Sequence, residues 1–226
     1  MLDANRRYFE RYPEDRARVR EIHRRLEAED VRLPGGDRLT VGRFRQLGLW
    51  LGASNGFELL HHVLELPFGS LAFMHDVQAG SGFARNPIYA TLHESSYADG
   101  VATRWSAARL LPDEIAGTEA FTAEHVFPWM FEDYGGLRAH RDAANLLAEH
   151  AWPRLYDADR LSRNEVPVAA TIYVNDLYVE RAFAEETAAI VRGLRPWITD
   201  EYEHNGLRAD GDRVLGRLID LVRGRA

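Results

Sequence analysis

Asp176 and His204 carry the most chemical promise in this 226-residue sequence. Asp176 follows the β-branched run "VPVAATIYVN" and His204 follows "WITDEYE", so each lies just beyond a segment that favours a strand. Loops at the C-terminal ends of parallel strands are where open α/β sheets hold their ligands. A carboxylate that accepts from one imidazole nitrogen fixes the tautomer and stabilises the imidazolium, and the other nitrogen is then able to take a proton from a nucleophile. The interval between the two residues leaves room for one strand-to-strand crossover, so their side chains could meet across neighbouring loops. A plainer reading also fits: Asp176 caps the following helix and His204 sits on a surface turn before "NGLRADG".

A serine pattern competes for attention. Residues 52 to 56, "GASNG", fit G-x-S-x-G, and the order Ser54, Asp176, His204 is that of a widespread hydrolase fold. A nucleophile elbow needs a buried strand immediately before its serine. Residues 42 to 62 contain no Val, Ile or Thr and follow a helical stripe through Phe44, Leu47 and Leu51. Gly52 is therefore expected to end one helix and Asn55 to cap the next, with Glu58 completing an N-x-x-E capping box. On this reading Ser54 is not a nucleophile.

The elements that must position these residues fall into two kinds. Residues 1 to 160 read as helical, with stripes at Val19, Ile22 and Leu26, and at Phe57, Leu60 and Leu64. Further helices are expected over 86 to 98, 101 to 110, 122 to 134 and 137 to 149. From residue 165 the order is strand, helix, strand, helix, the βαβα grammar of a parallel sheet. A strand as apolar as Val168 to Val174 belongs inside a sheet covered on both faces, and two strands cannot provide that. The fold class expected is α/β, a mostly helical portion followed by an incomplete core sheet.

Composition narrows the chemistry. The chain has no cysteine, which removes disulfides, thiolate metal sites and cysteine nucleophiles together. The net charge is -7 and every basic residue is arginine, a bias that no single site could impose. Arginines in residues 1 to 25 alternate with Glu10, Glu14, Asp15 and Glu21 at helical spacing, the pattern of a solvated helix and not of a nucleic-acid surface. No apolar run is long enough to span a membrane, and the charged N-terminus lacks a signal-peptide core, so a cytoplasmic protein is expected. His61 and His62 diverge by about 100° on a helix, a poor arrangement for one metal ion. "HESSY" has Tyr97 where a zinc helix needs histidine, and "GSGF" lacks the third glycine of a dinucleotide loop.

Four segments, "NPIYATLHESSYADG", "FTAEHVFPWMFEDY", "NEVPVAATIYVNDLYVE" and "RPWITDEYEHNGLRADGDRVLGRLI", together resemble the C-terminal half of the proline iminopeptidases, aminopeptidases of the α/β-hydrolase fold. The resemblance implies that residues 1 to 160 are a helical cap and 161 to 226 the last strands of the hydrolase core. It places Asp176 on the family's triad acid and His204 on its triad base. The family's His-Gly-Gly-Pro-Gly oxyanion loop and serine elbow precede the cap and do not occur in these residues, so nucleophile and oxyanion donors are expected from outside this chain.

Cleaving an N-terminal proline requires a partner for its free ammonium group, and a buried carboxylate serves best. The resemblance points to acidic cap residues, and Glu94 and Glu124 are the choices, with Tyr97 and Trp129 among the rings that could enclose a pyrrolidine. Ordinary helical core spacing accounts for the same aromatics. The expected partner is a peptide with a free N-terminal proline, with no metal or organic cofactor. Two alternatives stand beside the peptidase: a non-catalytic remnant or partner module that pairs with a separate N-terminal hydrolase half, and an esterase or epoxide hydrolase of the same fold. Acidic anchors facing a pocket argue against the last, because those substrates carry no ammonium group.

Overall fold

The structure is a computed structural model and describes residues 1–225. The chain divides into two compact units, one formed by Met1–Trp50 with Glu58–Leu155, the other by Leu51–Phe57 with the residues from Tyr156 onward.

The first unit is helical. It carries α1 (Leu2–Arg11), α2 (Asp15–Ala28), α3 (Val41–Arg45), most of α4 (Gly56–Glu65), α5 (Leu71–Gly80), α6 (Pro87–Leu92), α7 (Ser106–Arg109), α8 (Met130–Asp133) and α9 (Arg141–Glu149). Of the stripes read from the sequence, Val19, Ile22 and Leu26 of α2 and Leu60 and Leu64 of α4 are buried, and Phe57 is half-buried. Thr40 caps α3 by accepting from the Arg43 amide, and Ser70 caps α5 through the Phe73 amide. Asp15, fully buried, accepts from the Tyr8 hydroxyl at 2.5 Å, from Arg18 at 2.6 Å and from His61 Nδ1 at 2.9 Å. This cluster staples α1, α2 and α4. Glu14 also lies within ligand distance of Asp15 and His61, but the carboxylate of Asp15 is already committed to these three donors.

Several expected helices are shorter than their apolar spacing predicts. The segment 86 to 98 is α6 followed by a 3-10 turn, His93–Tyr97. Over 101 to 110 only α7 is helical, and over 122 to 134 only α8. The physical cause is that backbone groups in these stretches have tertiary or side-chain partners. The Thr122 amide donates to the Arg45 carbonyl, the Arg104 amide to the Ala148 carbonyl, and the Ala123 amide to His125 Nδ1. Pro128 then has no amide to offer.

The second unit follows the expected order. After the short α10 (Ala158–Leu161) come β1 (Val168–Tyr173), α11 (Arg181–Ile190), β2 (Leu194–Thr199), α12 (Gly206–Ala209) and α13 (Gly211–Val222). The strands β1 and β2 pair in parallel, with Ile172 opposite Ile198 and Tyr173 opposite Thr199. They form the whole of the named sheet among the described residues. Only Ile172 of β1 is buried, and Phe183, Ile198, Leu215 and Ile219 of this unit are exposed.

Candidate functional site

Asp176 and His204 both belong to the second unit. β1 stops where Asn175 and Asp176 begin a turn: the Asp176 carboxylate accepts at Oδ1 from the amides of Tyr178 and Val179, both at 2.9 Å. These bonds hold the aspartate side chain in place, and it is 6% exposed. On the other strand, the loop after β2 is anchored by Tyr202, whose hydroxyl donates to Asp210 at 2.9 Å and whose ring lies edge-on to Tyr173. Gly206 ends that loop against Tyr173, where a Cβ would come within 2.3 Å of the tyrosine oxygen. The backbone is thereby held at both ends of His204.

The structure brings the two side chains together. His204 Nδ1 lies 2.9 Å from Asp176 Oδ2 and 3.2 Å from Oδ1. A carboxylate accepts only, so Nδ1 carries the proton and donates, which leaves Nε2 as the basic nitrogen of the neutral ring. Among the described residues Nε2 has no hydrogen-bond partner, and the imidazole is 44% exposed. The Tyr178 ring stands edge-on to the imidazole, centroids 4.9 Å apart. An imidazole with one nitrogen tied to a buried carboxylate and the other open is arranged for proton transfer.

Glu94, Glu124, Tyr97 and Trp129 all belong to the first unit. Glu94, on the 3-10 turn, is 2% exposed; Oε2 accepts from the Ser106 amide at 3.2 Å, and Oε1 is buried without a hydrogen-bond partner. A carboxylate oxygen left in this condition costs stability and calls for a ligand. The hydroxyls of Thr103 and Ser106 are buried without partners as well. Between them Arg104 and Trp105 adopt left-handed conformations at φ 52° and 59°, strain that non-glycine residues adopt only under constraint.

The backbone of Glu124 lies beside this turn. Its carbonyl accepts from His93 Nε2 at 3.3 Å and from the Tyr97 hydroxyl at 3.1 Å, and its carboxylate accepts from the Tyr89 hydroxyl. Burial holds the His93 imidazole below its ordinary pKa, partly offset by the Glu124 carbonyl and the Glu94 charge. Trp129 is placed differently: its ring stacks on Phe127 and meets Tyr134 edge-on, and it packs closely on Gly42. Glu94, Tyr97 and Glu124 thus share one neighbourhood, and the ring contacts of Trp129 lie with core aromatics.

No protein-family profile matches the chain. Among curated proteins, it is 46% identical over 234 residues to the "Proline iminopeptidase" of Aeromonas sobria, an alignment covering 99% of this chain and 55% of that protein. This chain is similar to proline iminopeptidases. A second relative, "Proline iminopeptidase aneH" of Aspergillus aculeatus, is 33% identical over 236 residues, 98% of this chain and 52% of that protein. The chain spans about half the length of the curated relatives it matches. The likeness to proline iminopeptidases therefore embraces the loops of both Asp176 and His204 and the segments of Glu94 and Glu124.

Sequence reasoning missed the groups that surround the Asp–His pair in this proline iminopeptidase-like chain. Tyr178 stands out by no pattern in the sequence, and Gly52 and Ser54 read there as a helix break. Residues 51–57 group with the second unit. The separation of 151 residues between Ser54 and its partner Asn205 leaves no local signal to find.

Proposed function

We propose that this chain is the part of a proline iminopeptidase-like serine hydrolase that carries its general base and its substrate-anchoring carboxylates, and that the complete enzyme releases N-terminal proline from peptides. The observation that carries the reading is the Asp176–His204 hydrogen bond at 2.9 Å, which leaves Nε2 open. His204 Nε2 takes the proton of a serine hydroxyl as that oxygen attacks the scissile carbonyl, then delivers it to the leaving amine. Asp176 holds the tautomer and stabilises the imidazolium. The serine and the oxyanion donors come from residues outside these 226, in keeping with an alignment that covers 55% of the Aeromonas relative.

Glu94 is assigned the substrate ammonium group, on the strength of its buried and unpartnered oxygen. Glu124 and Tyr97 support that neighbourhood. The exposed apolar residues Phe183, Ile198, Leu215 and Ile219 support a hydrolase core completed by further strands, on the same polypeptide or on a separate N-terminal half. In this reading residues 1 to 160 act as the cap.

The test is complementation. The 226-residue chain alone is expected to leave proline arylamides intact, and joining it to the portion of the Aeromonas protein it does not match should yield hydrolysis. That activity should vanish in His204→Ala, and Glu94→Gln should raise KM on the order of a hundredfold, the loss of a buried charge partner. Restored hydrolysis that survives His204→Ala would overturn the assignment of the base. Hydrolysis by the chain alone, abolished by Ser54→Ala, would overturn the placement of the nucleophile outside it.

A further inference from the structure

His204 is held from behind by a segment far away in sequence. Residues 51–57 belong to the second unit, although the chain on either side of them belongs to the first. The Gly52 carbonyl accepts from the His204 backbone amide at 3.2 Å. Ser54 donates twice to the Asn205 side-chain oxygen, from its amide at 3.0 Å and from its hydroxyl at 2.7 Å. Gly52 is buried, and a Cβ on it would come within 2.3 to 2.7 Å of the Tyr178 ring. That ring is the one standing edge-on to the His204 imidazole at 4.9 Å. Tyr178 is tied in turn to Asp176, whose Oδ1 accepts its amide.

We propose that residues 51–57 form a strap whose Gly52 and Ser54 position His204 for proton transfer, with Ser54 acting through Asn205 and not as a nucleophile. The inference rests on His204 being the base of the proposed reaction. Each contact constrains a different freedom. Gly52 to the His204 amide sets the backbone, Ser54 to Asn205 fixes the residue beyond it, and Tyr178, seated in the space that only glycine leaves at position 52, limits the swing of the ring. Asp176 then meets an imidazole that is already oriented, so little ordering is left for the reaction step. Gly52 and Ser54 of "GASNG" are thereby accounted for without a nucleophile elbow.

The experiment uses the 226-residue chain labelled with 15N-histidine, and the same substitutions in the complemented enzyme. Gly52→Ala, which drives a methyl into the Tyr178 ring, is expected to remove the His204 Nδ1–H resonance or speed its exchange with water. It should lower kcat by about tenfold to a hundredfold with KM unchanged, the cost of a misplaced catalytic group. Ser54→Ala should speed the same exchange and lower kcat by about threefold to tenfold, the loss of one net hydrogen bond. Ser54→Thr, which keeps a hydroxyl, should restore both.

A parent-like His204 resonance and a parent-like kcat in both Gly52→Ala and Ser54→Ala would overturn the proposal. Complete loss of activity in Ser54→Ala with the His204 resonance unmoved would also overturn it and make Ser54 the nucleophile. If Gly52→Ala does not fold, the Ser54→Ala and Ser54→Thr pair decides. If the complemented parent shows no hydrolysis, the peptidase reading fails by itself, and the resonance still decides whether the strap holds the histidine.

Discussion

Replacing Asp176 by asparagine should invert the tautomer of His204 without loosening its loop. Asp176 Oδ1 accepts two backbone amides, from Tyr178 and Val179, each at 2.9 Å, whereas Oδ2 faces His204 Nδ1 at 2.9 Å. In Asp176→Asn the amide oxygen must stay beneath the two backbone donors. Turning it away would set an NH2 group against two N–H groups, at a cost of about 1 to 3 kcal/mol for each amide left unsatisfied. The NH2 group therefore takes the place of Oδ2 and points at Nδ1, which has to become an acceptor. The proton moves to Nε2, and Nε2 is the atom from which the proposed chemistry needs a lone pair. The two-amide penalty, about 2 to 6 kcal/mol, favours the inverted tautomer by at least about thirtyfold. Nitrogen-detected NMR of the 15N-histidine-labelled chain reads this directly, with His204→Gln used to assign one resonance among nine histidines. The parent should show a protonated Nδ1 in its neutral form, the variant a protonated Nε2. In the complemented enzyme the same change should lower kcat by about four orders of magnitude. A variant that keeps the parent tautomer would refute the reasoning, because the two backbone amides would then not be dictating which way the side chain faces.

Two predictions concern the stability of the first unit. Burial, together with the nearby Arg45 and partly offset by Glu119, pushes the His23 imidazole down to about 4 from its ordinary 6.5. The folded imidazole stays neutral while the unfolded one protonates, so stability present above pH 6.5 is lost as pH falls towards 4. At about pH 5 the full shift would amount to about 2 kcal/mol, halved to about 1 kcal/mol for a group that is only partly buried. His23→Phe, which preserves a ring beside Phe44, should lose about 1 kcal/mol less than the parent between about pH 7.5 and 5 in urea titrations, and equal losses would count against it. Asp15→Ala removes the acceptor shared by Tyr8, Arg18 and His61 and should cost about 2 to 4 kcal/mol by the same assay. Asp15→Asn, which keeps one oxygen for Tyr8, should cost less; an undiminished midpoint in Asp15→Ala would mean that the cluster does not staple the helices.

Local pattern carried the parts of this protein that are local in origin. The stripe of Val19, Ile22 and Leu26 buries its own residues and the β-branched run ending at Tyr173 forms a strand, so the sequence determined them by itself, whereas Asp176 turns the chain through the amides of Tyr178 and Val179 and does not cap the helix that begins at Arg181. It also placed Asp176 and His204 at the ends of two successive strands, from which a parallel crossover brings them close. Apolar spacing misjudged the helices over 101 to 110 and 122 to 134, because Thr122 and Arg104 give their amides to Arg45 and Ala148, partners that no window of sequence contains.

Tertiary structure alone decided which carboxylate keeps an unpartnered oxygen. Glu94 and Glu124 are equal as letters, yet one is sealed beside a strained left-handed pair and the other is met by Tyr89. It alone supplied the partners of "GASNG" as well. Glycine at position 52 tolerates both a helix end and a close approach to Tyr178, and the Ser54 hydroxyl has an asparagine oxygen as its acceptor. That oxygen, on Asn205, reaches Ser54 only once the chain has folded back upon itself.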